Sequence, residues 1–196
     1  EHPKPVRVIY DTDICSDCDD TGALAMLHAM ADAGEVELLA VMVSARDQYA
    51  AACTDAINTY FGRPDVPVGN QPVFAPRESR YTRVIAKEYP HDLKSGKNAP
   101  DSAKLYRRIL AAQPDKSVTI ITVGYATNVR NLLATDSDEI SPLAGPGSLR
   151  RRFASTWPVV TDRGLSRTER PASTTSRTFR PPSTKWSISP TASPWS

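Results

Sequence analysis

The sequence predicts an α/β fold, a mostly parallel, Rossmann-like sheet with flanking helices. Three observations carry that prediction. Short β-branched runs recur at residues 6–10, 36–43 and 118–124. Apolar stretches with helical spacing lie between them and close on glycine or proline. Strands that alternate with helices in this way build βαβ units and hence a parallel sheet.

Val6-Arg7-Val8-Ile9-Tyr10 ends in Asp11 and reads as a buried first strand. Ala23 to Ala31 is apolar nearly all round and is followed by Gly34, which predicts a buried helix with a glycine C-cap. Val36 to Val43 is the second strand. Tyr49, Cys53, Ile57 and Tyr60, spaced by four, four and three, predict a helix stopped by Gly62 and Pro64. A third short strand falls at Val66-Pro67-Val68, and residues 70–99 read as polar and irregular. Asp101 or Ser102 caps a helix that carries Leu105 and Ile109 and ends at Pro114. Val118 to Gly124 is the clearest strand, and a last helix runs from Asn128 to Leu133.

The chain has 196 residues and a net charge of +2, enough for one core of ordinary size. That charge divides unevenly. Residues 1–143 hold 15 Lys+Arg against 20 Asp+Glu, a net −5, whereas residues 144–196 hold 9 against 2, a net +7. The second stretch also carries 18 Ser+Thr and 7 Pro, with apolar residues scattered singly. Such a composition buries too little apolar surface to offset its ordering entropy, so 144–196 reads as a disordered, basic tail beside a domain at 1–143. No apolar run is long enough to span a membrane. The three Cys are too few for a disulfide scaffold. The N-terminus shows no signal peptide and leaves the compartment open.

Chemistry concentrates after the first strand. Asp11-Thr12-Asp13-Ile14-Cys15-Ser16-Asp17-Cys18-Asp19-Asp20 sets five carboxylates in ten residues. Carboxylates this close repel one another and call for a cation or for raised pKa values. Oxygen ligands favour a hard ion, Ca²⁺ or Mg²⁺. Asp19 and Asp20 could instead simply cap the following helix, which accounts for two acids and not five. Cys15-Ser16-Asp17-Cys18 has the CxxC placement of thioredoxin-like redox sites, but flanking carboxylates raise a thiol pKa where reactivity needs it lowered. Asp-Thr-Asp after a strand also resembles the first motif of haloacid-dehalogenase-type phosphatases, with Asp11 as nucleophile and Mg²⁺ beside it.

A third resemblance covers more residues. Strand, Asp-Thr-Asp, turn, Asp-x-Asp-Asp and an Ala/Leu-rich helix is similar to the N-terminal signature of the inosine–uridine-preferring nucleoside hydrolase family. The similarity continues through Leu39-Ala40-Val41, Asp55 to Tyr60 and Pro67-Val68-Gly69. Thr122-Val123-Gly124-Tyr125-Ala126-Thr127-Asn128-Val129 resembles that family's second calcium loop. The resemblance implies a Ca²⁺ ion held by Asp13, Asp20 and the backbone carbonyl of Thr127. It further implies Asp13 as the base that takes a proton from water, with Asp19 and Asn128 binding the ribonucleoside. The role of Asp17 stays open. The implied reaction, cleavage of an N-glycosidic bond, passes through an oxocarbenium-like sugar that nearby negative charge stabilises. The implied partners are a small-molecule substrate and, compatibly, a second copy of the chain, with no membrane and no specific nucleic acid.

The resemblance has gaps. Members of the family are far longer, and their C-terminal half adds another Asp to the metal, an acid near the leaving base and further sugar contacts. His2, His28 and His91 lie in no motif that would supply that acid and read as structural or solvated. Cys15-Ser16 replaces a Gly-Asn turn, and near Ser44-Ala45-Arg46-Asp47, where the family often has an Asn that reaches the sugar, the residue that would take its place stays open. The composition change near residue 144 predicts a shifted reading frame, with an incomplete sheet before it and Trp157, Trp186 and Trp195 as accidents of the new frame. A non-catalytic calcium-binding remnant is then the alternative to a hydrolase.

Overall fold

A computed structural model describes residues 4–71, 79–93 and 96–152. Expectations for His2, the three tryptophans and residues 153–196 lie outside the described residues. Four parallel strands, β1 (Val6–Thr12), β2 (Val36–Val43), β3 (Val68–Asn70) and β4 (Val118–Thr122), pair in the order β3-β2-β1-β4. Six helices flank them: α1 (Asp19–Asp32), α2 (Ala50–Tyr60), α3 (Arg80–Glu88), α4 (Ser102–Ala112), α5 (Thr127–Leu133) and α6 (Gly145–Arg152). The α/β expectation is met.

Side-chain alternation explains the two cores. Val8 and Tyr10 point to one face with Leu24 and Leu27 of α1 and Cys53 and Ile57 of α2. Ile9 points to the other, with Tyr106 and Leu110 of α4 and Leu132 of α5. Both faces of β1 are therefore covered, as a near-continuous apolar run requires. On β2 the alternation breaks once. Val8 pairs with Leu38 but Ile9 pairs with Ala40, so Leu39 is an extra residue. That is why Leu38 and Val41 share one core while Ala40 and Met42 share the other.

Helix ends follow the glycines. After α1, Gly34 N–H bonds to Ala31 O and Glu35 N–H to Met30 O, with Gly34 at φ 74°. After α2, Gly62 and Arg63 repeat this pairing to Thr59 and Asn58, with Gly62 at φ 73°. Both are Schellman ends, where only glycine takes the left-handed turn without strain.

Four expectations need correction. Helix α1 is not buried all round: Met26 is 67% exposed, and Leu24, Leu27 and His28 form its inner face. The third strand starts at Val68, after Pro67, which offers only its carbonyl to Val41. Residues 70–99 are not wholly irregular, since α3 occupies Arg80–Glu88 and a 3-10 turn Gly96–Asn98. Of the apolar residues of α3 only Tyr81 and Ile85 pack on the α1/α2 core, and Val84 is exposed. Regular structure also continues past residue 143. Gly145–Arg152 is helical, Leu149 joins the α4 core, and Ser148 is buried. The Gly-Pro-Gly start hides that helix from pattern reading.

Candidate metal centre at the strand ends

In an open α/β sheet, ligands bind beyond the carboxyl ends of the strands where the strand order reverses. Here that point lies between β1 and β4. The chain moves from β1 outward to β2 and β3, then returns to add β4 on the opposite side. The loop after β1 is the acidic one, and the loop after β4 carries Tyr125, Ala126 and Thr127.

Short contacts knit these loops together. Val123 N–H donates to Asp11 O at 2.9 Å. Ser44, just past β2, donates its N–H to Thr12 O at 2.8 Å and its hydroxyl to that oxygen at 3.1 Å. The same hydroxyl accepts from Tyr125 N–H at 3.1 Å. A Cβ on Gly124 would overlap the backbone nitrogen of Asp13, so a glycine is required where the two loops pass.

Within the acidic loop, ligand oxygens of Asp17, Asp19 and Asp20 all lie within 4.8 Å of one another. Asp17 and Asp19 are exposed, Asp13 is half-buried and Asp20 is buried. Asp20 is oriented by the Thr12 hydroxyl, which donates to its Oδ1. Burial first, and then the charge of Asp20, raises the pKa of Asp13. Burial likewise raises that of Asp20, opposed by the Thr12 bond and reinforced by Asp19 and Asp17. This strained set of negative groups is the situation a cation relieves. All its donors are oxygens, which fits a hard ion. The hydroxyl of Thr127 in the second loop is buried with no hydrogen-bond partner among the described residues.

Simple capping does not account for the acids. The N-cap of α1 is Cys18, and no side chain makes a capping bond there. Asp19 and Asp20 form the first turn instead, where the helix dipole favours them. Asp11 is fully buried, with Oδ2 accepting from the Tyr106 hydroxyl at 2.8 Å and Oδ1 from Asn128 Nδ2 at 3.1 Å. Burial pushes its carboxyl up to about 7 against the pull of those two bonds. Burial and these two bonds disfavour Asp11 as the accessible nucleophile that the phosphatase reading needs. Asn128 is equally buried, and its Oδ1 accepts from Ser102 at 2.7 Å. Both ends of its amide are therefore engaged, by Asp11 and Ser102. Cys15 donates to Asp47, Cys18 is exposed, and Cys53 lies in the core with its thiol pushed up to about 12 by burial.

Two further groups were not singled out by the sequence. Asp47 is buried and accepts from Tyr49 N–H, Ser79 N–H and the Thr82 hydroxyl, tying the β2 end to α3. Arg107 is buried on α4 and donates to Asp138, Thr135, Leu143 O and Ser141 O, which fixes the chain after α5. Each is a residue of loop or helix whose partners come from distant sequence, so no local pattern announces it. His28 bonds Asn58 and stacks on Phe61, and His91 bonds Ala86 O, so both serve the fold.

Among solved structures, the chain is similar to a plant nucleoside hydrolase, the PpNRh1 enzyme, with a TM-score of 0.53 and 19% identity. The match covers 76% of this chain and 46% of that one. The likeness establishes a shared fold, and the chain spans a little under half the length of the protein it matches. No family model and no curated protein matches the chain.

Proposed function

We propose that residues 4–152 carry the metal- and sugar-binding portion of a ribonucleoside hydrolase site, of the inosine–uridine-preferring type. The observation that carries this reading is the meeting of two loops at the switch point. One carries the carboxylate cluster of Asp17, Asp19 and Asp20, of which Asp20 is buried, and the other begins at Thr127, with Gly124 letting them touch. The shared fold with a nucleoside hydrolase supports it.

In this reading Asp13, Asp20 and the Thr127 carbonyl hold Ca²⁺, and Asp17 beside them adds negative charge. The ion, when bound, supplies an anchor for sugar hydroxyls and a Lewis acid for water. Asp13 accepts a proton from the attacking water. Asp19 is exposed at the start of α1 and accepts from the ribose hydroxyls. The remaining negative charge stabilises an oxocarbenium-like sugar. Asn128 is reassigned from sugar contact to support of Asp11, because its amide is buried and engaged.

The test has two arms. Calorimetry should show Ca²⁺ binding in preference to Zn²⁺, abolished in Asp20→Ala. Tight Zn²⁺ binding lost in a Cys15/Cys18 double variant would replace the oxygen site with a thiol site. The second arm is turnover of inosine, uridine or a nitrophenyl riboside. This chain should give no more than trace hydrolysis, because the resemblance assigns another metal ligand and the leaving-group acid to residues with no counterpart here. Calcium binding without turnover is then the non-catalytic remnant. Robust turnover lost in Asp13→Ala would show a working hydrolase.

A further inference from the structure

We propose that helix α4, which contributes no metal ligand, positions the two loops of the candidate centre through a buried hydrogen-bond chain, Tyr106–Asp11–Asn128–Ser102. The inference rests on the calcium reading above.

The chain follows from strand parity and capping. Asp11 is two residues beyond Ile9 on β1 and so points to the α4/α5 side of the sheet. Tyr106 from α4 meets its Oδ2 and Asn128 from the first turn of α5 meets its Oδ1. Asp101 caps α4 by accepting from Lys104 N–H at 3.0 Å, which leaves the Ser102 hydroxyl free of that task. Ser102 donates instead to Asn128 Oδ1 and so fixes which end of the amide faces Asp11. All four residues are 0% exposed. With the amide reversed, its oxygen would oppose the carboxylate of Asp11 in a site that water does not reach.

Position gives this network its leverage. Asp11 lies two residues before Asp13, and Asn128 immediately follows Thr127. A single bond between their side chains thus links the backbone that bears one expected ligand to the backbone that bears another. A second side-chain link between these loops passes through Ser44. Partners that orient ligands from outside typically change metal affinity by about 10- to 100-fold when removed.

The experiment measures Ca²⁺ affinity by calorimetry for the full chain and for Tyr106→Phe, Ser102→Ala and Thr54→Val, each also melted in chelator. Tyr106→Phe removes one hydroxyl without changing the packed volume. Thr54→Val removes a buried hydroxyl that bonds only Ala50 O on the other side of the sheet, so it reports plain loss of stability. The expected result is about a 10-fold or greater loss of affinity in the two α4 variants, with Thr54→Val at the wild-type value. Wild-type affinity in folded Tyr106→Phe and Ser102→Ala would overturn the positioning role while leaving the calcium reading in place. An equal loss in Thr54→Val would also overturn it, as general destabilisation. Absence of calcium binding in the unaltered chain would overturn the calcium reading and this inference together.

Discussion

Gly124 shows how tightly one position can constrain the centre. Because a Cβ there would overlap the main chain at Thr12 and Asp13, Gly124→Ala must push the two loops apart. The expected cost is about 1–3 kcal/mol in thermal or denaturant unfolding, with weaker calcium binding in the same variant. Protonation supplies a second prediction. Asp13 and Asp20 have raised pKa values, chiefly from burial, so protons compete with a metal there at higher pH than at ordinary carboxylates. Calcium affinity should therefore fall on acidification before solvent-exposed carboxylates titrate, and calorimetry across neutral to acid pH checks it. The gathering of Asp17, Asp19 and Asp20 was legible in the sequence because the three fall within four residues of one another. Ser44, Ser102 and Tyr106 were not, since a lone hydroxyl in a helix or at a strand end has meaning only once the fold brings its partner.

Helices α1 and α2 meet at His28, whose Nε2 bonds Asn58 while its ring stacks on Phe61 at 4.8 Å. Burial lowers the His28 pKa below 6.5, opposed by the Asn58 bond. The unfolded chain then binds the proton more readily than the folded one, so stability is full above that value and declines as pH drops below it. A melting temperature that falls from neutral to mildly acid pH, with the fall reduced in His28→Gln, is the expected outcome. At the C-terminal side, α6 should matter more than its composition implies. It docks Leu149, pairs Arg151 with Asp115 at 2.7 Å and ties Arg151 O to Lys116 N–H. A chain ending at residue 152 should be more stable than one ending at 143, by about 1–2 kcal/mol of apolar burial, read by chemical denaturation. Elements with periodic apolar residues, such as β2 and α2, were plain in the sequence. Helices α3 and α6 were not, because each holds on through one or two apolar contacts within a polar segment.

For the molecule as a whole, an ion that binds only the folded state raises its stability by mass action. Calcium at about 100 times its dissociation constant should add about 2.7 kcal/mol. In a domain of this size that is a rise of several degrees in melting temperature, absent in Asp20→Ala. The sheet itself stops at β4, whose outer edge has no strand partner among the described residues and whose Ile120 and Ile121 are only half-buried. Alternating strands and helices made the sheet legible from sequence. The strand order, with β4 at an edge beside β1, was not, since an edge strand and an interior strand share the same apolar pattern.

The extra residue at Leu39 sets the phase of everything downstream on β2. Upstream of it, even-numbered residues face α1 and α2, and downstream odd-numbered ones do. Val43 pairs with Thr12, and Ser44 just beyond it bonds Thr12 O and bridges to Tyr125. Deleting Leu39 would make Leu38 and Ala40 consecutive against Val8 and Ile9, so the pairs and core faces of Ala40 to Val43 would be kept and the alternation would become regular. The strand should then tolerate loss of Leu39 about as well as its substitution, because the bulge takes up one residue of length without moving the faces on either side. Denaturant unfolding of a Leu39 deletion variant checks it.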